Sequence, residues 1–439
     1  MNTAGQAGQA GRGRGAYGTP DPFQVMAVDS SQTMALRVID PAVFPTQRDA
    51  APDEAVPEPA RKPGRDRYLD LLRALALVRV VIYHNFSWTW LPIVFPSMGV
   101  MFALAGSLTV RSLKRPPLSV IRGRLRRLLP PMWLFGAVVV PLMLLEGWRP
   151  DIHHTNWWWA DLGYWILPVS EPPFGATLHT FGGHLPSSWA EQICVPLWYL
   201  RAYLWYVLLS PLLLKALRKL PWVTLLAPLA LAFVVNSGLI DQSGRLMEAT
   251  TDFTTFGSCW VLGMAHQEGL LRKIPQYVVP SLAPLVLMFG FWWLMRAPVD
   301  NPRFGHDLEA VPVAQAIWSF GAVLLLLHLS PSWEQWPKPL ERFNGVITLL
   351  NSRAVTVYLW HSFALVLTEP LIDPLWSNTF LYDHAQWLLS SQWTPLVLAV
   401  PLICLAILLF GWIEDVAAKR RPRLFPYPRR EKGGRRRGR

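Results

Sequence analysis

Arg73 and His84 are two ionisable residues inside the first long apolar segment, which runs from Tyr68 to Pro92. At about 100° per residue, eleven steps come to within about 20° of three full turns, so a helix places both on one face. A rise of about 1.5 Å per residue separates them by roughly 16 Å, about half of a ~30 Å hydrocarbon layer. An ionisable group at that depth is expensive unless it faces a bundle interior or a wet cavity. An Arg that snorkels to the headgroups and a His hydrogen-bonded in the core form the bland alternative; a pair at this depth favours function. An imidazole can take a proton from an attacking hydroxyl or carry a group covalently, and the residues leave both routes open.

The elements that position this pair follow from composition. The chain of 439 residues is 52% hydrophobic, with 23 Trp, and its apolar residues come in runs near twenty long. That pattern predicts an all-α, polytopic transmembrane bundle. The net charge of +12 is concentrated in one interhelical loop and the last 24 residues, beside membrane spans. Basic groups placed there set orientation and meet anionic lipid, so no nucleic-acid partner is expected. Cys194, Cys259 and Cys404 have no close metal spacing and read as two core thiols and one loop thiol. The Gly, Ala, Gln and Arg-rich start lacks the apolar core of a signal peptide.

Residues 1–67 read as a disordered cytoplasmic arm, 68–415 as the membrane domain and 416–439 as a basic cytoplasmic tail without a catalytic role. Ten spans are expected, at 68–92, 94–110, 128–145, 196–217, 221–240, 251–267, 275–296, 311–330, 346–371 and 393–414. Gly99 and Gly106 in the second allow close helix approach. Arg111 to Arg127, seven basic residues and no acid, reads as a loop, with Pro130 and Pro131 at the start of the third span. Residues 146–196, with Trp157, Trp158, Trp159, Trp165 and Trp189, read as an interfacial layer. The sixth span carries Asp252 and several Thr, so it must face a partner helix or a cavity. With the N-terminus inside, inner loops hold fourteen Lys and Arg against four outside, and the tail adds eleven more inside. Both termini are therefore expected to be cytoplasmic in a multi-pass cell-membrane protein.

Ordered motifs across 68–415 resemble the acyltransferase type 3 family, membrane enzymes that modify surface carbohydrates, lipids and secreted metabolites. Leu69-Asp70-Leu71-Leu72-Arg73 running to His84 resembles the family's first helix, and Phe102-Ala103-Leu104-Ala105-Gly106 its second. Arg124-Leu125-Arg126-Arg127 is similar to its Arg-x-x-Arg motif, Leu197-Trp198-Tyr199-Leu200 through Pro211 to its mid-chain helix, and Tyr358-Leu359-Trp360-His361 to its Tyr-Leu-x-His. Two positions depart from the pattern: Ala105 stands where a Ser is frequent, and Tyr203 where a Glu is frequent.

The resemblance implies transfer of an acyl group, acetyl first, from acyl-coenzyme A to a hydroxyl of a glycan, lipid or metabolite, as in O-acetylation of the cell envelope. It implies a catalytic set of His84, Arg73 and His361, and a donor set of Arg73, Arg124 and Arg127, whose guanidinium groups suit phosphate. His361, eight residues beyond Arg353, would orient His84 or relay its proton. Arg201 is a further buried cation, with Glu191 as a candidate partner. His153, His154, His179, His184 and His306 show no metal-site spacing, and no metal is expected. Two rival classes remain. A proton-coupled transporter or flippase gated by Arg73 and His84 would show inverted repeats, and the sequence shows none. A membrane scaffold would depend on its tails.

Overall fold

Asp66 opens the first long helix by accepting a hydrogen bond from the Tyr68 N–H at 3.0 Å, the N-cap role that a short acidic side chain fills best. The computed structural model describes residues 66–149, 161–178, 187–239, 244–299, 305–331, 333–424 and 426. The expected arm up to residue 65, the Trp157–Trp159 run, His153, His154, His179, His184 and the tail from 427 lie outside the described residues.

Ten principal helices follow in order: α1 Arg67–Phe86, α2 Ser97–Ser112, α3 Pro117–Leu145, α4 Leu197–Lys219, α5 Pro221–Asn236, α6 Arg245–Gln267, α7 Val278–Arg296, α8 Pro312–His328, α9 Ala354–Val366 and α10 Trp393–Phe410. Among the described residues, six helical segments are long and apolar enough to cross a membrane: 90–112, 117–145, 189–219, 278–296, 354–376 and 393–410. α5 and α8 are apolar but shorter, and α1 and α6 carry too many polar groups to qualify. Among the described residues no strand forms a ladder, and all regular structure is helical.

Several expected boundaries move. α1 stops at Phe86 because Ser87 takes a left-handed conformation, φ 50°, and its N–H turns back to the Tyr83 carbonyl. A short helix, Trp90–Val94, follows before α2. The expected basic loop is mostly helix: α3 begins at Pro117, whose fixed φ suits a first helical position, and only residues 113–116 connect it to α2. Pro130 and Pro131 therefore lie inside α3 rather than at its start. The ninth expected span is broken: a helix at Asn344–Ser352 ends at Arg353, which is non-helical at φ −117° and ψ 24°, before α9 resumes.

α6 is the centre of one half of the bundle, packed by α2, α4, α5 and α8. Its Cys259, Trp260, Val261, Leu262 and Met264 are fully buried. Enclosure by protein removes the need for lipid-compatible side chains, and its hydroxyls are satisfied locally. Thr255 donates to the Thr251 carbonyl at 2.8 Å, and Ser258 to the Leu225 carbonyl at 2.8 Å. α2 meets α6 through glycine: a methyl group at Gly263 would overlap the Ala103 carbonyl oxygen, and one at Gly106 the Trp260 carbonyl oxygen. Gly99 serves a different neighbour, the Ser319 Cβ of α8, 2.8 Å from where its own Cβ would stand.

In the other half α1 packs on α9 and α10, and α3 on α4 and α9. Lipid-facing character shows on α7 and α10, where Leu282, Leu285, Met288, Val397, Val400 and Leu405 are exposed. Trp165 and Trp189, expected at an interface, are instead core residues: Trp165 packs on Phe135 and Gly136, and Trp189 donates to Glu146 Oε2 at 2.6 Å. Cys194, which falls in the expected connection, is buried at the end of the short helix Trp189–Cys194, Cys259 is buried in α6, and Cys404, expected in the core, is exposed on α10.

Candidate active site

A cavity of about 310 Å³ lies where α1, α2, α3, α4 and α9 meet. Its volume falls at the low end of the ~300–1,000 Å³ usual for small-molecule sites. Arg73 from α1 and Arg124 and Arg127 from α3 all line it. Arg124 and Arg127 share the cavity because residues three apart on a helix are surface neighbours. Arg124 is held in place by two hydroxyls, donating to Tyr203 Oη at 3.1 Å and to Ser112 Oγ at 3.4 Å. Ala105, Tyr199, Tyr203, Asn351, Val355, Tyr358 and Glu414 complete the polar and apolar walls. Both positions that depart from the family pattern, Ala105 and Tyr203, face this cavity.

The histidines sit beyond Tyr358. The Tyr358 and His361 rings are 5.7 Å apart, and the His361 and His84 rings 5.1 Å apart. His361 is fully buried, and its Nδ1 lies 2.6 Å from the Tyr358 carbonyl oxygen. A carbonyl can only accept, so Nδ1 carries the proton, and a neutral ring then keeps Nε2 as acceptor for Ser362 Oγ at 3.3 Å. His361 therefore meets His84 by ring packing, with its nitrogens committed elsewhere. His84 is only half-buried. α1 is continuous from Arg67 to Phe86, so Arg73 and His84 do share one face about 16 Å apart.

Sequence reading passed over Arg79, although it carries the same signal as Arg73: a cation inside the same apolar run. Arg79 is buried, donates to Glu309 Oε1 at 2.7 Å and lies over the Tyr83 ring at 4.7 Å. Tyr83 in turn donates to Asp307 Oδ2, and the Asp307 carboxylate caps the short turn at Leu308–Ala310. This network ties the connection before α8 to the helix that bears His84. Nothing local in the sequence pairs Arg79 with a residue 230 positions away.

Arg201 has other partners than Glu191. Its Nε donates to Asp252 Oδ2 at 3.0 Å and its Nη1 to Glu248 Oε2 at 2.6 Å, both on α6. In the connection before α4, burial pushes the Glu171 carboxyl above its usual range, and the nearby Glu248 adds to the effect. At the other end of the bundle, Arg218 makes two hydrogen bonds to Glu268 and holds that carboxyl below its usual range. His306 is the one of the five connecting histidines that is described, and among the described residues no cluster of His, Cys, Asp and Glu could hold a metal.

Comparison with known proteins adds the family. No curated protein and no solved structure matches the chain. The model of an acyltransferase domain matches residues 66–414, from the N-cap of α1 to the carboxylate that closes the cavity. With the greater part of its length matched, and with Arg73, Arg124, Arg127 and Tyr358 of its motifs lining one cavity, the chain belongs to the acyltransferase type 3 family.

Proposed function

We propose that this protein is an integral membrane O-acyltransferase that takes an acyl group, acetyl in the first instance, from acyl-coenzyme A and transfers it to a hydroxyl of a carbohydrate, lipid or secreted metabolite. The observation that carries the reading is the convergence of Arg73, Arg124 and Arg127 on one cavity whose Tyr358 wall leads to His361 and His84. Three guanidinium groups in one cavity call for an anionic ligand, and guanidinium binds phosphate in bidentate fashion. A donor held there by its phosphates would extend a pantetheine arm of about 15 to 20 Å, comparable with the ~16 Å between Arg73 and His84 along α1. His84 takes the proton of the acceptor hydroxyl as its oxygen attacks the thioester carbonyl. The carbon–sulfur bond then breaks, and the proton passes to the departing thiolate. His361 packs against the His84 ring and limits its rotation.

The test is donor binding to the purified protein. Arg124→Ala and Arg127→Ala should each weaken coenzyme A binding by roughly tenfold or more, in line with loss of a charged hydrogen bond, with little change in protein yield. Lys replacements should recover part of the affinity, because charge survives and the fork geometry does not. Equal affinity in all variants would leave these arginines with the single task of setting orientation.

The reading also includes ten membrane crossings, α1 to α10, with both termini cytoplasmic. Single cysteines introduced at Lys215 and Lys419 should be labelled from the cytoplasmic side alone, and one at Trp148 from the outside alone. External labelling at Lys419 would overturn the even number of crossings.

A further inference from the structure

Glu414 lines the donor cavity but belongs to a short helix, Trp412–Ala417, that follows α10 and packs on α3. Its Oε1 accepts from the Thr356 N–H at 2.7 Å and the Thr356 hydroxyl at 2.5 Å, which joins this helix to the first turn of α9. The next residue, Asp415, is buried and pairs with Arg353 at 2.7 Å. Arg353 is fully buried at the break before α9, and its Nη2 also donates to the Arg423 carbonyl. The Arg423 N–H returns to Asp415 Oδ2 at 3.1 Å, and Arg420 Nε lies 3.5 Å from Asp415 Oδ1. Arg126 of α3 donates to the Ala417 carbonyl at 3.1 Å. Gly411 makes room for the latch, since a Cβ there would stand 2.9 Å from Arg353 Cδ.

These contacts share a consequence. Asn351, Ala354 and Val355, which flank Arg353, all line the cavity, as does Glu414 beside Asp415. A single buried ion pair thus holds two walls of one cavity together.

We infer that residues 412–423 form a strap that completes the donor site, with Arg353 and Asp415 as positioning residues that latch it. The inference rests on the donor reading given above. In it, Arg353 touches no ligand and acts by holding Glu414 and Asn351 in place.

The test uses the full-length protein in lipid nanodiscs, with coenzyme A and acetyl-coenzyme A as probes. Asp415→Asn and Arg353→Met should raise the donor KM by about tenfold with kcat within about twofold, the pattern of lost ground-state binding. Arg353→Lys should recover part of the affinity, because an ammonium can still reach Asp415. Those variants disturb a buried charge and can fail to fold, so Arg423→Pro provides the second route. Arg423 is exposed, and proline there removes the N–H that donates to Asp415 without touching the core. A donor KM about threefold above the parent is expected for it. Saturating coenzyme A should slow tryptic cleavage at Lys419 and Arg420, sites that both proteins keep, in the parent and should protect less in Arg423→Pro. Parental KM and parental protection in Arg423→Pro would overturn the strap while leaving the donor reading intact, provided Arg124→Ala still weakens binding. Failure of the parent to bind coenzyme A would remove both.

Discussion

His84→Gln should lower acyl transfer per folded molecule by about two to four orders of magnitude, the usual worth of a positioned base. Its abundance and its affinity for coenzyme A should stay near those of the parent. The expectation follows from where the ring sits. His84 is half-buried near the end of α1, held by the His361 ring at 5.1 Å and accessible enough to meet a hydroxyl. Arg73 lies about 16 Å away along the same helix, and Arg124 and Arg127 share its cavity on α3, so losing the imidazole leaves the phosphate contacts in place. Glutamine retains polarity and similar length but has no ring nitrogen that can accept the hydroxyl proton. A purely structural histidine predicts the reverse pattern: less folded protein and near-normal turnover in what remains. Measuring transfer by purified protein at saturating donor separates the two, and activity within about threefold of the parent would remove His84 from the chemistry.

The helical architecture and the polar residues of α1 were legible because both are local signals. Apolar runs near twenty residues and an Arg–His spacing of eleven can be read without knowing what lies opposite. What the sequence concealed depends on distant partners. Asp252 and its threonines already required the sixth span to face a partner, and α6 is among the most buried helices, but the countercharge, Arg201 of α4, could not be read from the sequence. Arg353 lies in a run that reads as one helix, and the break there is tied to Asp415 and Arg423, 62 and 70 residues onward. The charge of Arg111 to Arg127 suggested a loop, whereas Pro117 starts a helix that turns Arg124 and Arg127 toward the cavity. The donor arginines were visible by type and spacing. Asn351 and Glu414 were invisible as their companions, because asparagine and glutamate near helix ends carry no pattern of their own.

Gly263→Ala tests the packing on which the cavity stands, and it should sharply reduce the yield of folded protein. The added methyl group would overlap the Ala103 carbonyl oxygen, and backbone has no rotamer through which to retreat. Relief requires α2 and α6 to separate, which costs at least the upper end of the ~1–3 kcal/mol typical of overpacking. That is a large share of a net stability of order 5–15 kcal/mol. Sequence reading singled out Gly106 on α2, but the reciprocal glycine on α6 was not paired with it, since close approach needs small residues on both helices. Separation would also shift Met101, Ala105 and Leu108, the face that α2 gives to the cavity, so surviving molecules should bind coenzyme A more weakly. Gly345→Ala is the matched control. That glycine lies in the helix Asn344–Ser352 with open space around it, and alanine there should stabilise by up to about 1 kcal/mol through helix propensity. The same substitution is thus expected to act with opposite sign at two helical positions. Thermal unfolding and size-exclusion profiles of both variants in one detergent compare them directly, and equal behaviour would mean that α2 and α6 do not meet through Gly263.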